Sequence, residues 1–142
     1  MATIERAIAI AAAAHAGQVD KGGEPYILHP IRVMLRMQSA PERIVAVLHD
    51  VVEDSDVTLE HLGAEGFSQE VLAGVDALTK RRGESRLDAA RRAKKNRIAL
   101  AVKLADNAEN MDLSRIPAPT ERDYVRLEEY KVVRAILLGT AE

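Results

Sequence analysis

The sequence predicts an all-α protein, on three observations. No stretch sustains the alternation of apolar and polar residues that a half-buried strand requires, and alanine, leucine, glutamate and arginine dominate. Two segments, around Ile44–Leu48 and Ile98–Ala105, are apolar on nearly every side, which is the pattern of buried helices. Residues that cap helices stand ahead of several apolar segments.

Taken in order, Thr3 caps a first helix running to about Ala16, and Gly17 breaks it. Gln18-Val19-Asp20-Lys21-Gly22-Gly23-Glu24-Pro25 reads as a loop from its glycine and proline content. Pro30 fits the first turn of a second helix and puts His29 at a loop-to-helix corner. Ser39-Ala40-Pro41-Glu42 is a capping box that starts a third helix, expected to carry His49, Asp50, Glu53 and Asp54 beyond its apolar run. Thr58 and Ser68 start two short helices. Another spans Arg86 to about Lys95, and a buried one spans Asn96 to about Asp112. Pro117 and Pro119 separate the latter from a last helix, Thr120 to about Leu138, closed by Gly139. The expectation is one bundle of about seven helices over residues 1–142, with no repeats and no linker.

Composition excludes several classes of function. A chain of 142 residues needs no staple to fold, since it buries about 68% of its unfolded surface. There is no cysteine, so disulfides, thiolate metal sites and thiol nucleophiles are excluded. A formal charge of −2 and 3% aromatic residues argue against nucleic acid as a partner. The longest apolar run, Ala7–Ala14, is far short of the roughly 20 residues of a membrane span, and it has no basic leader. A cytoplasmic location follows as the expectation.

The informative residues are polar ones on buried helices. His49-Asp50 directly follows the most apolar helix, with Glu53 and Asp54 one turn on. Buried carboxylates are rare unless they are paired or bound to a cation, and three of them within one and a half turns repel one another. Asp106 sits on the other apolar helix, with Asn110 one turn later. His29 stands at its proline corner. Two imidazoles and two carboxylates without sulfur suit a five- or six-coordinate divalent cation: manganese first, with iron, cobalt and zinc also fitting. Each residue alone has a plainer reading. Asp50 could pair with an arginine and Asp106 with Lys103. His15 reads more readily as a brace for the loop, and His61 as a surface residue. The combination of His29, His49, Asp50 and Asp106 carries the inference.

Gly22-Gly23-Glu24-Pro25-Tyr26-Ile27-Leu28-His29-Pro30, His49-Asp50-Val51-Val52-Glu53-Asp54 and Lys103-Leu104-Ala105-Asp106 together resemble the HD-domain metallophosphohydrolases. They are most similar to the small alarmone hydrolases and the hydrolase domain of the alarmone synthetase–hydrolases. The resemblance implies an HD-domain helical bundle and release of pyrophosphate from the 3′ position of guanosine tetra- and pentaphosphate, with manganese. It implies that His29, His49, Asp50 and Asp106 hold the metal, and that Glu53 and Asp54 position or activate the attacking water. Lys21, Asn110 and Tyr130 would contact the nucleotide. Apart from the resemblance, Lys80 opens a basic segment holding nine of the twenty Lys and Arg residues, which either supplies phosphate attraction by folding over the cleft or, given Gly83, is a flexible, solvated surface.

Three positions depart from that pattern. Asp20 stands where the family usually has an arginine, and Asn107 and Glu109 replace basic and aromatic residues. A carboxylate cannot stack on a base and repels a polyanion, so the expectation extends to a relative acting on another nucleotide or phosphate ester. The alternative to an enzyme is a binding module that senses a nucleotide with little turnover. The full ligand set beside Glu53 and Asp54 favours the enzyme.

Overall fold

Helix capping organises the chain from its first residues onward. The computed structural model describes residues 2–140, among which there are nine helical segments and no strand beyond a single bridge between Val19 and Pro25. They are α1 (Ile4–Ala14), α2 (Leu28–Leu35), α3 (Ala40–Leu48), α4 (Val51–Asp54), α5 (Leu59–Ala64), α6 (Gln69–Leu78), α7 (Arg86–Ala93), α8 (Arg97–Met111) and α9 (Glu121–Leu138). The caps expected at Thr3, Ser39, Thr58 and Ser68 all form, each accepting the backbone N–H three residues on. Ser85, Asn96 and Thr120 do the same for α7, α8 and α9. Each such cap contributes about 1 kcal/mol. Gly139 takes the left-handed conformation that ends α9, with φ 80°.

The all-α expectation is borne out, and packing explains the two apolar helices. α3 lies at the centre, covered by α1, α2, α6 and α8, so Val45, Ala46, Val47 and Leu48 are completely buried. α8 is a wedge between two clusters. It gives Ile98, Val102 and Ala105 to the larger one, and Leu100 and Leu104 to a smaller one with Ala90, Val133, Ile136 and Leu137. The approach of α6 to α3 depends on Gly74, where a β-carbon would lie 3.0 Å from Val45 Cγ2. Gly74→Val should therefore cost about 1–3 kcal/mol by overpacking, read as a lowered urea midpoint with an unchanged slope.

One expectation needs correcting. The third helix does not run on through Asp54. It stops at Leu48, and α4 restarts after a break at His49 and Asp50. The cause is local: His49 Nδ1 lies 2.5 Å from the carbonyl of Ala46, and the His49 backbone N–H also turns to it at 3.4 Å. That carbonyl is the one the Asp50 N–H would use in a continuous helix, so the side chain displaces the ladder.

The basic segment is tied down rather than loose. Arg92 donates to both carboxylate oxygens of Glu84 at 2.9 Å and to the carbonyl of Thr79 at 2.8 Å. These bonds, with the Arg81 N–H, hold the Glu84 carboxyl at about 2, below its usual 4.5. The stabilisation is complete above pH 4.5 and is lost as pH falls toward 2. Arg92→Ala should thus lower the melting temperature near neutral pH, and the difference from the parent should shrink through that window.

Candidate metal centre

Three mutually packed helices, α2, α3 and α8, bring the polar residues of separate stretches to one point. His29 enters from the first turn of α2, His49 and Asp50 from the break after α3, and Asp106 from the middle of α8. His29 Nε2 is 2.7 Å from Asp106 Oδ1 across 77 residues of sequence. His49 Nε2 lies 3.1 Å from Asp50 Oδ2 and 3.4 Å from Asp106 Oδ1. Ligand atoms of His29, His49 and Asp50 all lie within 4.8 Å of one another. The four candidate metal ligands are thus gathered in space. His29, His49 and Asp106 are buried, and Asp50 is partly so.

A surrounding layer orients them. The Tyr26 hydroxyl donates to Asp50 Oδ2. Asn110 Nδ2 donates to Asp106 Oδ1 at 3.3 Å, and Lys103 Nζ approaches Asp106 Oδ2 at 3.4 Å. The plain reading of Asp106 is therefore partly realised: it has an ammonium beside it as well as two imidazoles. His15 also takes its plain role. Its Nδ1 meets Gln18 Oε1 at 2.9 Å, Gln18 Nε2 donates to the carbonyl of Asp54, and the His15 ring lies 5.0 Å from that of Tyr26.

The electrostatics favour positive charge at the centre. Burial opposes a charged His49, but Asp50 and Asp106 outweigh it and hold the imidazole well above its ordinary value. Burial would raise Asp106, but the Lys103 ammonium, the hydrogen bond from His29 and the neighbouring His49 imidazole hold it well below the usual carboxylate range. Burial, with help from Asp50 and Glu53, raises Asp54. Burial and the Asp50 carboxylate raise Tyr26, keeping its hydroxyl a donor.

The donor set fits a divalent cation. With Nδ1 of His49 committed to the Ala46 carbonyl, its other ring nitrogen is buried without a hydrogen bond. The neighbouring carboxylate oxygens are close to Nε2 but out of line for accepting from it. A hard to borderline cation can replace the proton that the two carboxylates favour on that nitrogen, taking its lone pair and their oxygens together. Tyr26→Phe would leave one Asp50 oxygen without its hydroxyl donor. Loss of such an outer partner should weaken divalent-cation affinity about tenfold, measurable by calorimetry.

Two depressions open from this point. One is bounded by Tyr26, Asp50, Lys103, Asp106, Tyr130 and Arg86. The other is a cleft of about 280 Å³ between the loop at 19–22, the loop after α8, and α9. Tyr26, His29, Asn110 and Tyr130 line both. Lys21 lies on the cleft wall, paired with Asp123 Oδ1 at 3.2 Å. Lys80 stands apart: it is exposed, lines neither depression, and reaches the region through its backbone N–H, which donates to Glu53 Oε1 at 2.9 Å. Glu53 and Asp54 lie beyond the walls of both depressions, and Asp54 borders a groove beside α1.

The three departing residues are all engaged. Asp20 Oδ1 accepts the N–H groups of Gly22 and Glu24 at 2.9 and 3.0 Å, and Oδ2 faces Arg115 at 3.4 Å. Glu109 is buried between Arg32 and Arg36. Asn107 turns away to donate to the Tyr130 carbonyl at 2.9 Å. Two cations that motif reading did not single out line the depressions. Arg86 packs over the Tyr130 ring at 5.3 Å, and Arg126, one turn before Tyr130, has no acidic partner among the described residues. The signal for Arg126 is its i, i+4 spacing to Tyr130 on α9, whereas Arg86 reaches that ring from α7 and leaves no local signal.

Residues 7–132 match the family model described as HD domain. The chain belongs to the HD domain family. This HD domain is 37% identical to a guanosine-3′,5′-bis(diphosphate) 3′-pyrophosphohydrolase of Vibrio cholerae over 122 residues, 76% of the chain and 17% of the relative. It is 30% identical to a probable GTP pyrophosphokinase of Mycobacterium leprae, over 94% of the chain and 18% of that protein. It thus spans under a fifth of the length of either relative. A solved structure of a metazoan ortholog of SpoT, described as hydrolysing ppGpp, superposes with a TM-score of 0.78 at 25% identity, covering 98% of this chain and 85% of that one. The resemblance read from the motifs is borne out. HD-domain hydrolases bind divalent metals, and the His and Asp cluster is arranged to hold one. No helix among the described residues is long and apolar enough to cross a membrane.

Proposed function

We propose that this HD domain is a manganese-dependent phosphohydrolase that releases pyrophosphate from the 3′ position of guanosine 3′,5′-bis(diphosphate) and its close relatives, and that it works in the cytoplasm. The observation that carries the reading is the convergence of His29, His49, Asp50 and Asp106, with a buried imidazole nitrogen that has no hydrogen-bond partner. The names of its relatives supply the substrate.

His29, His49, Asp50 and Asp106 would hold the ion. A divalent cation supplies Lewis acidity, drawing charge from a phosphate oxygen and making water a better nucleophile near neutral pH. The chain's own residues do the rest. Tyr26 and Asn110 fix the carboxylates. Lys103, Arg86 and Arg126 bring positive charge to where a phosphate group would lie, as phosphoryl transfer requires. Glu53 and Asp54 are assigned to orienting the water and taking its proton, and burial suits Asp54 to proton uptake by raising its pKa. Water adds to the phosphorus attached to the ribose 3′ oxygen and that bond breaks. Pyrophosphate leaves and the 3′ oxygen regains a proton. No serine, threonine or cysteine nucleophile is needed.

The test is a screen of purified protein, stripped of metal and then supplied with manganese. It should compare 3′-pyrophosphorylated guanosine nucleotides with ordinary nucleotides and deoxynucleotides. The expected result is pyrophosphate release from the 3′-substituted compounds only when manganese is present. Equal rates with and without metal would overturn the reading, as would turnover confined to ordinary nucleotides.

A further inference from the structure

We infer that Arg115 is the specificity-determining residue of the cleft, its guanidinium plane forming the surface on which the nucleobase of the substrate stacks. The inference rests on the proposed nucleotide hydrolase and deepens it.

Arg115 lies in the loop after α8, on the wall of the cleft, at the side shared with the 19–22 loop. Its edge is occupied. Nη1 faces Asp20 Oδ2 at 3.4 Å, and Nη2 donates to the Glu109 carbonyl at 3.3 Å, with Glu109 Oε1 at 3.9 Å. Hydrogen bonds of a guanidinium run in its plane, so partners at the edge leave the two faces for other contacts. The side chain keeps 31% of its surface exposed. The backbone beneath it is fixed as well, because Gly22 packs against the Arg115 carbonyl so closely that a β-carbon there would collide with it.

Charge separates this arginine from the other cations of the cleft. Arg115 faces Asp20 at 3.4 Å and lies 3.9 Å from Glu109, an acid shared with Arg32 and Arg36, so the charge of its plane is partly compensated. Arg126 has no acidic partner among the described residues and Lys21 has one. The neighbours of Arg115 on the wall are apolar: Val19, Leu113 and Ile116. A flat, charge-compensated surface among aliphatic side chains suits the π-face of a base, whereas phosphate is better served at the metal centre and by Arg126, which has no acidic partner among the described residues. A volume of about 280 Å³ is at the small end of ligand pockets and admits one base with its ribose. Because Tyr26, His29 and Asn110 line both spaces, a ligand with its phosphate at the metal centre extends directly toward Arg115.

The test compares the parent with Arg115→Ala and Arg115→Lys. The substrates are guanosine 3′,5′-bis(diphosphate) and the same ribose bis(diphosphate) lacking a base. For Arg115→Ala, KM for the nucleotide should rise about tenfold with kcat nearly unchanged, and the preference for nucleotide over abasic compound should fall by the same factor. Lysine can pair with Asp20 but has no plane, so Arg115→Lys should behave like alanine. Full rescue by lysine, or equal losses on the two substrates, would show a loop-holding role and overturn the inference. Calorimetric binding of GDP keeps the question open to measurement should the parent hydrolyse neither compound. A tenfold weakening in both variants then supports the stacking role while the hydrolase reading fails. Unaltered GDP binding, or none by the parent, overturns the stacking role.

Discussion

His49→Ala should reduce manganese-dependent turnover by at least about a hundredfold and remove tight manganese binding. The lower bound comes from outer-layer residues: losing a group that merely orients a ligand already costs about 10–100-fold, and His49 would be a ligand itself. Its Nδ1 is fixed on the Ala46 carbonyl and its Nε2 is the buried nitrogen without a hydrogen bond, so no neighbour can take its place. Asp50→Ala and Asp106→Ala should follow, because their oxygens lie 3.1 and 3.4 Å from that nitrogen. Steady-state rates and a calorimetric titration with manganese make the check. A His49→Ala protein that kept a tenth of the parent rate, with parent-like metal affinity, would rule out the four-residue centre.

Glu109→Leu should be the most destabilising change on the cleft side. The Glu109 carboxylate receives Arg32 Nε at 3.1 Å and Arg36 Nη2 at 2.7 Å, and it lies 3.9 Å from Arg115. Leucine leaves three guanidinium groups facing one another around a buried position. Removing one partner of a fully buried ion pair costs about 3–5 kcal/mol. Arg36 is half exposed and would relax into water, which brings the expected loss to about 2–3 kcal/mol. Urea unfolding should show it as a shifted midpoint. Glu109→Gln keeps the shape and some of the hydrogen bonds and should lose about half as much. A Glu109→Leu shift below about 0.5 kcal/mol would mean that the cluster is ornamental. The same substitution removes one of the two acids beside Arg115, so nucleotide KM should rise as well.

Much of the fold was legible because it is written in local chemistry. A capping side chain reaches a backbone N–H only three residues away, and Thr3, Ser39, Thr58 and Ser68 declare their helices without reference to the rest of the chain. Full burial of α3 was equally readable, because no polar face remained for water. The break at His49 was not, since it depends on a ring nitrogen turning back to one particular carbonyl. At the site, the residue types betrayed the metal centre, because charges on apolar helices demand partners. Their partners were harder to read. Asp20 and Glu109 read as repulsive charges in one dimension, and only the fold shows Arg115, 95 residues from Asp20, facing the one and Arg32 and Arg36 flanking the other. Arg126 is one of twenty basic residues in the sequence, and only its place beside Tyr130 without an acidic partner among the described residues sets it apart.

The ammonium of Lys103 beside Asp106 and the hydroxyl of Tyr26 on Asp50 change how the centre is assembled. Crowded acids without such neighbours would wait for an ion before the chain around them could close, as in small domains that collapse only around zinc. Here the acids already have internal counterparts, so the chain can reach its final shape empty-handed and load afterwards. Occupancy would then be a matter of exchange between the finished site and the pool of divalent ions around it.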